Sequence, residues 1–297
     1  MIDSLRKMVN SIPFYRRLKN FFQYPPGHYY SPIPSLRDIR RSDARIFEEK
    51  PNNIPGIDLN TDVQLQLFDD LSKWYETLPF KEHKTDGLRY FYENSFFSYA
   101  DAIILFCMIR HLHPRRIIEV GSGFSSCVML DTNELFFDNE ISCSFIEPYP
   151  ERLISLITPQ DHGRVTILPR RVQDVDLKLF ATLQPNDILF IDSSHVSKID
   201  SDVNHLVFNI LPAIASGVHI HFHDILYPFE YSRQWVYSGL FWNESYLLRA
   251  FLQYNTSFKI TLFNSYLAQF YREELLNRMP LCLRNTGGSI WLQKCTP

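Results

Sequence analysis

No apolar run in this 297-residue chain is long enough to cross a bilayer. The longest, Ala102–Ile109, has 8 residues against the roughly 20 that a spanning helix needs. Charge of one sign is also missing. With 30 Lys and Arg against 33 Asp and Glu, the net charge is −3, which points away from nucleic acid or an anionic membrane as partner. The segment Met1–Leu18 is basic and mildly amphipathic but lacks an uninterrupted apolar stretch, so no secretory signal is expected and the compartment reads as cytoplasmic. Five cysteines stand without a single Cys-x-x-Cys pair, the pattern of buried, reduced thiols. There is no internal repeat and no low-complexity tract. What is present is 45% hydrophobic and 15% aromatic residues, enough for a real core in one large domain or one domain with an accessory piece.

Residues 1–60 are rich in proline, arginine and aromatics. Pro25-Pro26-Gly27 and Pro32-Ile33-Pro34 interrupt any regular element, so an N-terminal helix followed by an extended arm is expected. Helical periodicity runs over Thr61–Thr77 and again over Ser98–His111, the latter closed by His113-Pro114. From Arg116 onward short apolar strands alternate with helices. The strands expected are Ile117–Val120, Ser142–Ile146, Val165–Leu168, Ile188–Ile191 and Gly217–Phe222, with Phe258–Thr261 and Gly288–Leu292 as a closing pair. This is the signature of an α/β protein with a mostly parallel, doubly wound sheet. The expected division is an N-terminal helical and extended arm over 1–97 and the α/β domain over 98–297.

In such a sheet, ligands bind beyond the carboxyl ends of the strands. The first strand runs through Glu119 into Gly121-Ser122-Gly123 and a helix that starts with small residues. Glycine allows a sharp turn and close approach of the backbone, and free N–H groups at the helix start would face a ligand. Glu147 ends the second strand, where a carboxylate accepts both hydroxyl hydrogens of a ribose. Gln173 and Asp174 follow the third strand, where they can meet an adenine amine. NAD and S-adenosylmethionine both remain compatible with this pattern. Two features count against NAD: the third glycine of GxGxxG is missing after Gly123, and no Tyr-x-x-x-Lys pair occurs in the sheet region.

The fourth strand ends in Asp192-Ser-Ser-His195 and the fifth in His223-Asp224. Alternation places His219, His221 and His223 on one face of the fifth strand; His219 and His221, lying deeper, read as core histidines whose hydrogen bonds are satisfied. Asp192, His223 and Asp224 have the donor atoms for a divalent cation such as Mg²⁺ or Mn²⁺. His195 is suited by type to a general base. Tyr227, Tyr231, Trp235, Tyr237, Phe241 and Trp242 offer aromatic faces for a sugar, and Lys198 and Arg233 offer charge for a phosphate or uronate.

Glu119-Val-Gly-Ser-Gly123 resembles motif I of the class I S-adenosylmethionine-dependent methyltransferases. The Ile191-Asp-Ser-Ser-His195 segment and the strand ending in His223-Asp224 resemble the members of that class that O-methylate sugars with a divalent metal. More widely, residues 29–34 through 287–292 are similar to bacterial class I methyltransferases encoded beside polysaccharide loci. The resemblance implies a Rossmann-like methyltransferase fold and S-adenosylmethionine held by Glu119, Gly121, Ser122, Gly123, Glu147, Gln173, Asp174 and Asp192. It implies His195 as catalytic base with Asp192, a tentative metal site at Asp192, His223 and Asp224, and a sugar or glycan precursor as acceptor. His223 stands where that group carries an acid, which leaves the metal open. A homo-oligomer is compatible with the sequence.

Overall fold

The computed structural model describes residues 23–296; the helix expected within Met1–Leu18 lies outside them. The chain divides into two units. One comprises residues 1–50 with Ser232–Phe241, and the other Pro51–Tyr231 with Trp242–Pro297.

In the described part of the first unit, two short helices, Leu36–Arg41 and Asp43–Phe47, replace part of the expected extended arm. Ser35 starts the first by accepting the Asp38 N–H on its hydroxyl, a local N-cap that the surrounding prolines obscure in the sequence. Arg233 pairs with Asp43 and Glu48, and the Tyr237 hydroxyl donates to Asp43.

The second unit is built on one seven-stranded sheet. In chain order the strands are β1 (Arg116–Val120), β2 (Ser142–Ile146), β3 (Thr166–Leu168), β4 (Ile188–Ile191), β5 (His219–Phe222), β6 (Phe258–Phe263) and β7 (Ile290–Lys294). The spatial order is β3-β2-β1-β4-β5-β7-β6. The first five are parallel, while β7 runs antiparallel to both β5 and β6. This is the Rossmann-like α/β architecture expected. The central strands β4 and β5 are buried along their whole length; β4 reads as a continuous apolar run, whereas β5 alternates His219 and His221 with Ile220 and Phe222.

The Tyr99–Leu112 helix is buried from Tyr99 through Ile109. It ends at His113, whose left-handed backbone precedes Pro114 and stops the helix. Asp187 holds two strand starts together: one carboxylate oxygen accepts the Arg115 and Arg116 N–H groups and the other accepts that of Gln184. The Thr61–Ser72 helix also belongs to this unit. Its Gln64 accepts the Phe263 N–H at the end of β6 and donates to the Leu59 carbonyl. Among the described residues, no helix is long and apolar enough to cross a membrane.

Candidate active site

Register brings the site together. Val120 pairs with Ile146 on one side and Ile191 on the other, and Ile191 pairs with Phe222. The ladder continues one residue further: the Gly121 N–H donates to Ile146, the Asp192 N–H to Val120 and the His223 N–H to Ile191. Gly121, Glu147, Asp192 and His223 therefore form a row along the carboxyl edge of the sheet. Gly121 has φ +82°, and a Cβ there would lie 1.8 Å from the Asp192 carbonyl oxygen. Only glycine lets β1 turn away this close to β4.

A cavity of about 520 Å³ opens on this row, lined by Gly121, Glu147, Tyr149, Gln173, Asp192 and Lys198 among others. Its size is that of a site for a nucleoside-sized molecule. Glu147 is braced from below by the Ser122 and Tyr149 N–H groups, and the Gln173 amide nitrogen donates to the Asp200 carbonyl. One buried polar atom in the cavity wall, Gln173 Oε1, has no hydrogen-bond partner among the described residues, while the Ser122 hydroxyl lies close enough to Glu119 to lower its pKa. A polar atom left without a partner costs stability unless a ligand or solvent meets it.

Two expected cofactor contacts fall elsewhere. Glu119 is fully buried beneath the turn and accepts the hydroxyls of Ser125 and Ser126. Burial raises its pKa to about 8, against the opposing pull of those hydroxyls. Its place is to brace the first turn of the Phe124–Phe137 helix, not to line the cavity. Asp174 is paired with Arg171, which also pairs with Asp200. The turn's backbone amides also differ from expectation. That of Gly121 is taken by Ile146, that of Ser122 by Glu147, and that of Gly123 by Ser126 Oγ.

Beside the cavity, one imidazole sits among three carboxylates. His195 Nδ1 lies 2.9 Å from Glu244. Its Nε2 faces Asp192 at 3.5 Å and Asp224 at 3.6 Å. His195 and Asp224 both have left-handed backbones, with φ of 60° and 57°, a strained conformation for non-glycine residues that concentrates at functional sites. The Trp242 ring lies 4.4 Å from the imidazole. Burial works to lower the His195 pKa, but its hydrogen bonds with Asp192 and Glu244 outweigh that and lift it to about 10. Burial raises the Asp224 pKa more than the His223 and His195 charges lower it. For Asp192 the balance reverses, and those two histidines bring its pKa below the usual carboxylate value despite burial.

This geometry corrects two expectations. With carboxylates facing both of its nitrogens, His195 has its pKa raised, which favours the imidazolium over the neutral base its position implied. The metal expected at Asp192, His223 and Asp224 does not fit either. The positive group between the two aspartates is the His195 ring itself, and among the described residues no set of three His, Cys, Asp or Glu side chains is arranged to hold a metal ion. His223 packs against Phe97, with ring centroids 5.2 Å apart, and its Nε2 faces Asp224 at 3.5 Å.

The deeper histidines are core residues, as expected, and only partly satisfied. Burial lowers the His219 pKa to about 4, and His219 Nε2 meets Gln293. His221 stacks on Phe190 at 3.9 Å, with neither ring nitrogen hydrogen-bonded among the described residues. The aromatic segment divides. Tyr227 is buried against Phe263, Tyr266 and Phe270, while Tyr231 packs edge-on against Trp242. Trp235, Tyr237 and Phe241 belong to the other unit. Glu244, buried and also accepting the Ser193 hydroxyl, is the site residue that sequence reasoning missed. It opens a helix 49 positions beyond His195, and no local motif marks it.

Residues 118–225, the segment that carries this row of strand ends, match the family model of the methyltransferase domain. A protein of Archaeoglobus fulgidus is 36% identical over 170 residues, which cover 56% of this chain and 76% of the archaeal one. Among solved structures, the S-adenosylhomocysteine-bound methyltransferase PaMTH1 of Podospora anserina aligns over 88% of this chain and 97% of its own, at 14% identity and a TM-score of 0.44. The O-methyltransferase TomG of Streptomyces achromogenes, involved in tomaymycin synthesis, aligns over 88% and 96%, at 12% identity and the same TM-score of 0.44. The chain thus carries a methyltransferase domain over residues 118–225 and belongs to the same protein family as the Archaeoglobus fulgidus protein.

Proposed function

We propose that this protein is an S-adenosylmethionine-dependent O-methyltransferase acting on a hydroxyl of a sugar or glycan precursor. The observation that carries the reading is the row Gly121, Glu147, Asp192 and His223, with the cavity on one side and the His195 cluster on the other. The residues present suit this cofactor. Glu147 retains lone pairs for a ribose diol, Gly121 admits a ligand close to the backbone, and the unpartnered Gln173 Oε1 is a polar group for it to meet.

When bound, S-adenosylmethionine supplies an electrophilic methyl group on a sulfonium sulfur. Everything else falls to the protein. Asp224, with its raised basicity and its side chain 22% exposed, takes the proton that the acceptor hydroxyl gives up as its oxygen gains the methyl. The His195 imidazolium holds Asp192 and Asp224 in place and offsets their mutual repulsion, and Glu244 orients the ring from behind. Positioning of the acceptor oxygen supplies the remainder of the catalysis. The Trp242 ring beside His195 is a stacking face of the kind sugars use.

Titration of the purified protein with S-adenosylhomocysteine and with NAD tests the cofactor. Binding of NAD alone overturns the reading. Turnover of S-adenosylmethionine with panels of sugar and nucleotide-sugar acceptors tests the acceptor class, and activity only on non-sugar hydroxyls overturns that part.

A further inference from the structure

The glycine turn leaves one part of the proposed cofactor unaccounted for. Were the ribose held at Glu147, an amino-acid arm extending from it along the Gly121-Ser122-Gly123 turn would reach the neighbourhood of Gly123. The carboxylate of that arm needs a donor. The three turn amides cannot serve, because Ile146, Glu147 and Ser126 already take them.

A cation stands at this place. The stem of Arg152, on the Glu151–Leu156 helix, lies against Gly123: a Cβ on Gly123 would be 3.4 Å from Arg152 Cδ. The guanidinium sits 3.9 Å from the centroid of the Phe96 ring, which in turn stacks on Phe124, the residue after Gly123, at 6.2 Å. Phe91 meets the same Phe124 edge-on at 5.6 Å. Phe96 thus carries the cation beside the turn, itself backed by Phe124 and Phe91, an arrangement in which a planar guanidinium keeps its N–H edges free.

Neighbouring arginines are committed. Arg171 is held by Asp174 and Asp200, and Arg284 by Glu82 and Glu93. Among the described residues, the Arg152 side chain has no carboxylate partner, yet its charge reaches Asp192 in the cavity wall.

We propose that Arg152 binds the amino-acid carboxylate of the cofactor, with its guanidinium presented across the glycine turn by Phe96. The proposal rests on the S-adenosylmethionine reading above. It makes Arg152 a discriminator between ligands that carry the carboxylate and ligands that end at the thioether. A charge-assisted, two-pronged contact of this kind is among the stronger hydrogen-bonding arrangements.

The test compares two ligands on three proteins by calorimetric titration. S-Adenosylhomocysteine carries the carboxylate; 5′-methylthioadenosine has the same adenosine and thioether without it. Arg152→Gln is expected to weaken S-adenosylhomocysteine by about 10- to 100-fold and to change 5′-methylthioadenosine by less than about twofold. The second ligand also reports that the variant is folded. Lys198→Gln, which removes a cation from the cavity lining, is expected to leave the ratio of the two affinities unchanged. An equal loss for both ligands in Arg152→Gln, or no loss for either, overturns the proposal. So does a ratio that shifts with Lys198→Gln instead. A wild-type protein that binds neither ligand overturns the cofactor reading and this proposal with it, a result distinct from failure of the Arg152 assignment alone.

Discussion

The charge on His195 makes a prediction about stability that activity measurements do not touch. Its pKa is about 10 in the folded chain against 6.5 for the free side chain. A pKa raised by folding means that the folded state holds the proton more tightly. The resulting stabilisation is fully present below pH 6.5 and is lost as the pH rises to about 10. At about 1.4 kcal/mol for each pH unit in that window, the ceiling is about 5 kcal/mol. Asp192 and Asp224 are 35% and 22% exposed, so water screens part of their interaction with the ring, and a loss of about 3–5 kcal/mol is expected.

The measurement is urea unfolding at pH 6.5, 8 and 10 for wild type and His195→Gln. The glutamine can still donate to Glu244 and cannot titrate. The variant is less stable throughout, and the gap between the two proteins is expected to close by about 3–5 kcal/mol as the pH rises. Lysines and tyrosines that titrate in the same range cancel in that difference. Two curves that stay parallel from pH 6.5 to pH 10 would falsify the imidazolium assignment. ¹⁵N chemical shifts of the ring at pH 8 give a second reading, with both nitrogens protonated as the expected outcome.

Three further outcomes follow from the same geometry. Asp224→Asn is expected to lower kcat by about 10²–10⁴-fold while S-adenosylhomocysteine affinity, followed by titration, stays within about threefold. Methyl transfer measured in excess chelator is expected to match the untreated rate, because the cation between Asp192 and Asp224 is His195; a loss restored by added Mg²⁺ or Mn²⁺ would reinstate the metal. Arg89 is buried and bonded to Asp131, Asp161 and Glu134, so Arg89→Met strands buried carboxylates and is expected to cost about 3–5 kcal/mol in thermal or urea unfolding.

Much of this site was legible because parallel strands carry their own register. Each of β1, β2, β4 and β5 is a short, largely buried strand that gives way to a glycine or a polar residue, and strands of similar length paired in register bring those ends to one edge. That reasoning needs only local sequence, and it anticipated Gly121, Glu147, Asp192 and His223 at the carboxyl edge where the register aligns them. It does not reach Glu244, which comes from a helix after an irregular segment. Nor does it reach Arg152, whose helix reads in isolation as an ordinary solvated face. The short helices at Leu36–Arg41 and Asp43–Phe47 were hidden for another reason: the prolines around them argue for extended chain, while the Ser35 cap that starts the first is a single hydroxyl.

The roles of the residues were harder to read than their positions, and His195 shows why. An isolated histidine near pH 7 is half-way through titration, so its type and its place after β4 favour a neutral base. What decides its charge is the number of carboxylates within a few ångströms, and these come from three places far apart in the chain: Asp192, Asp224 and Glu244. One carboxylate on Nδ1 would orient the ring and leave Nε2 free to accept a proton. Two more on the Nε2 side favour hydrogen on both nitrogens, and the base proposed is then one of the acids. Asp192 is held below its usual range by the two histidines, whereas Asp224 is pushed above it by burial. That difference is the ground for proposing Asp224 as the proton acceptor, with the histidine, which sequence marks most clearly, as the charge that holds it in place.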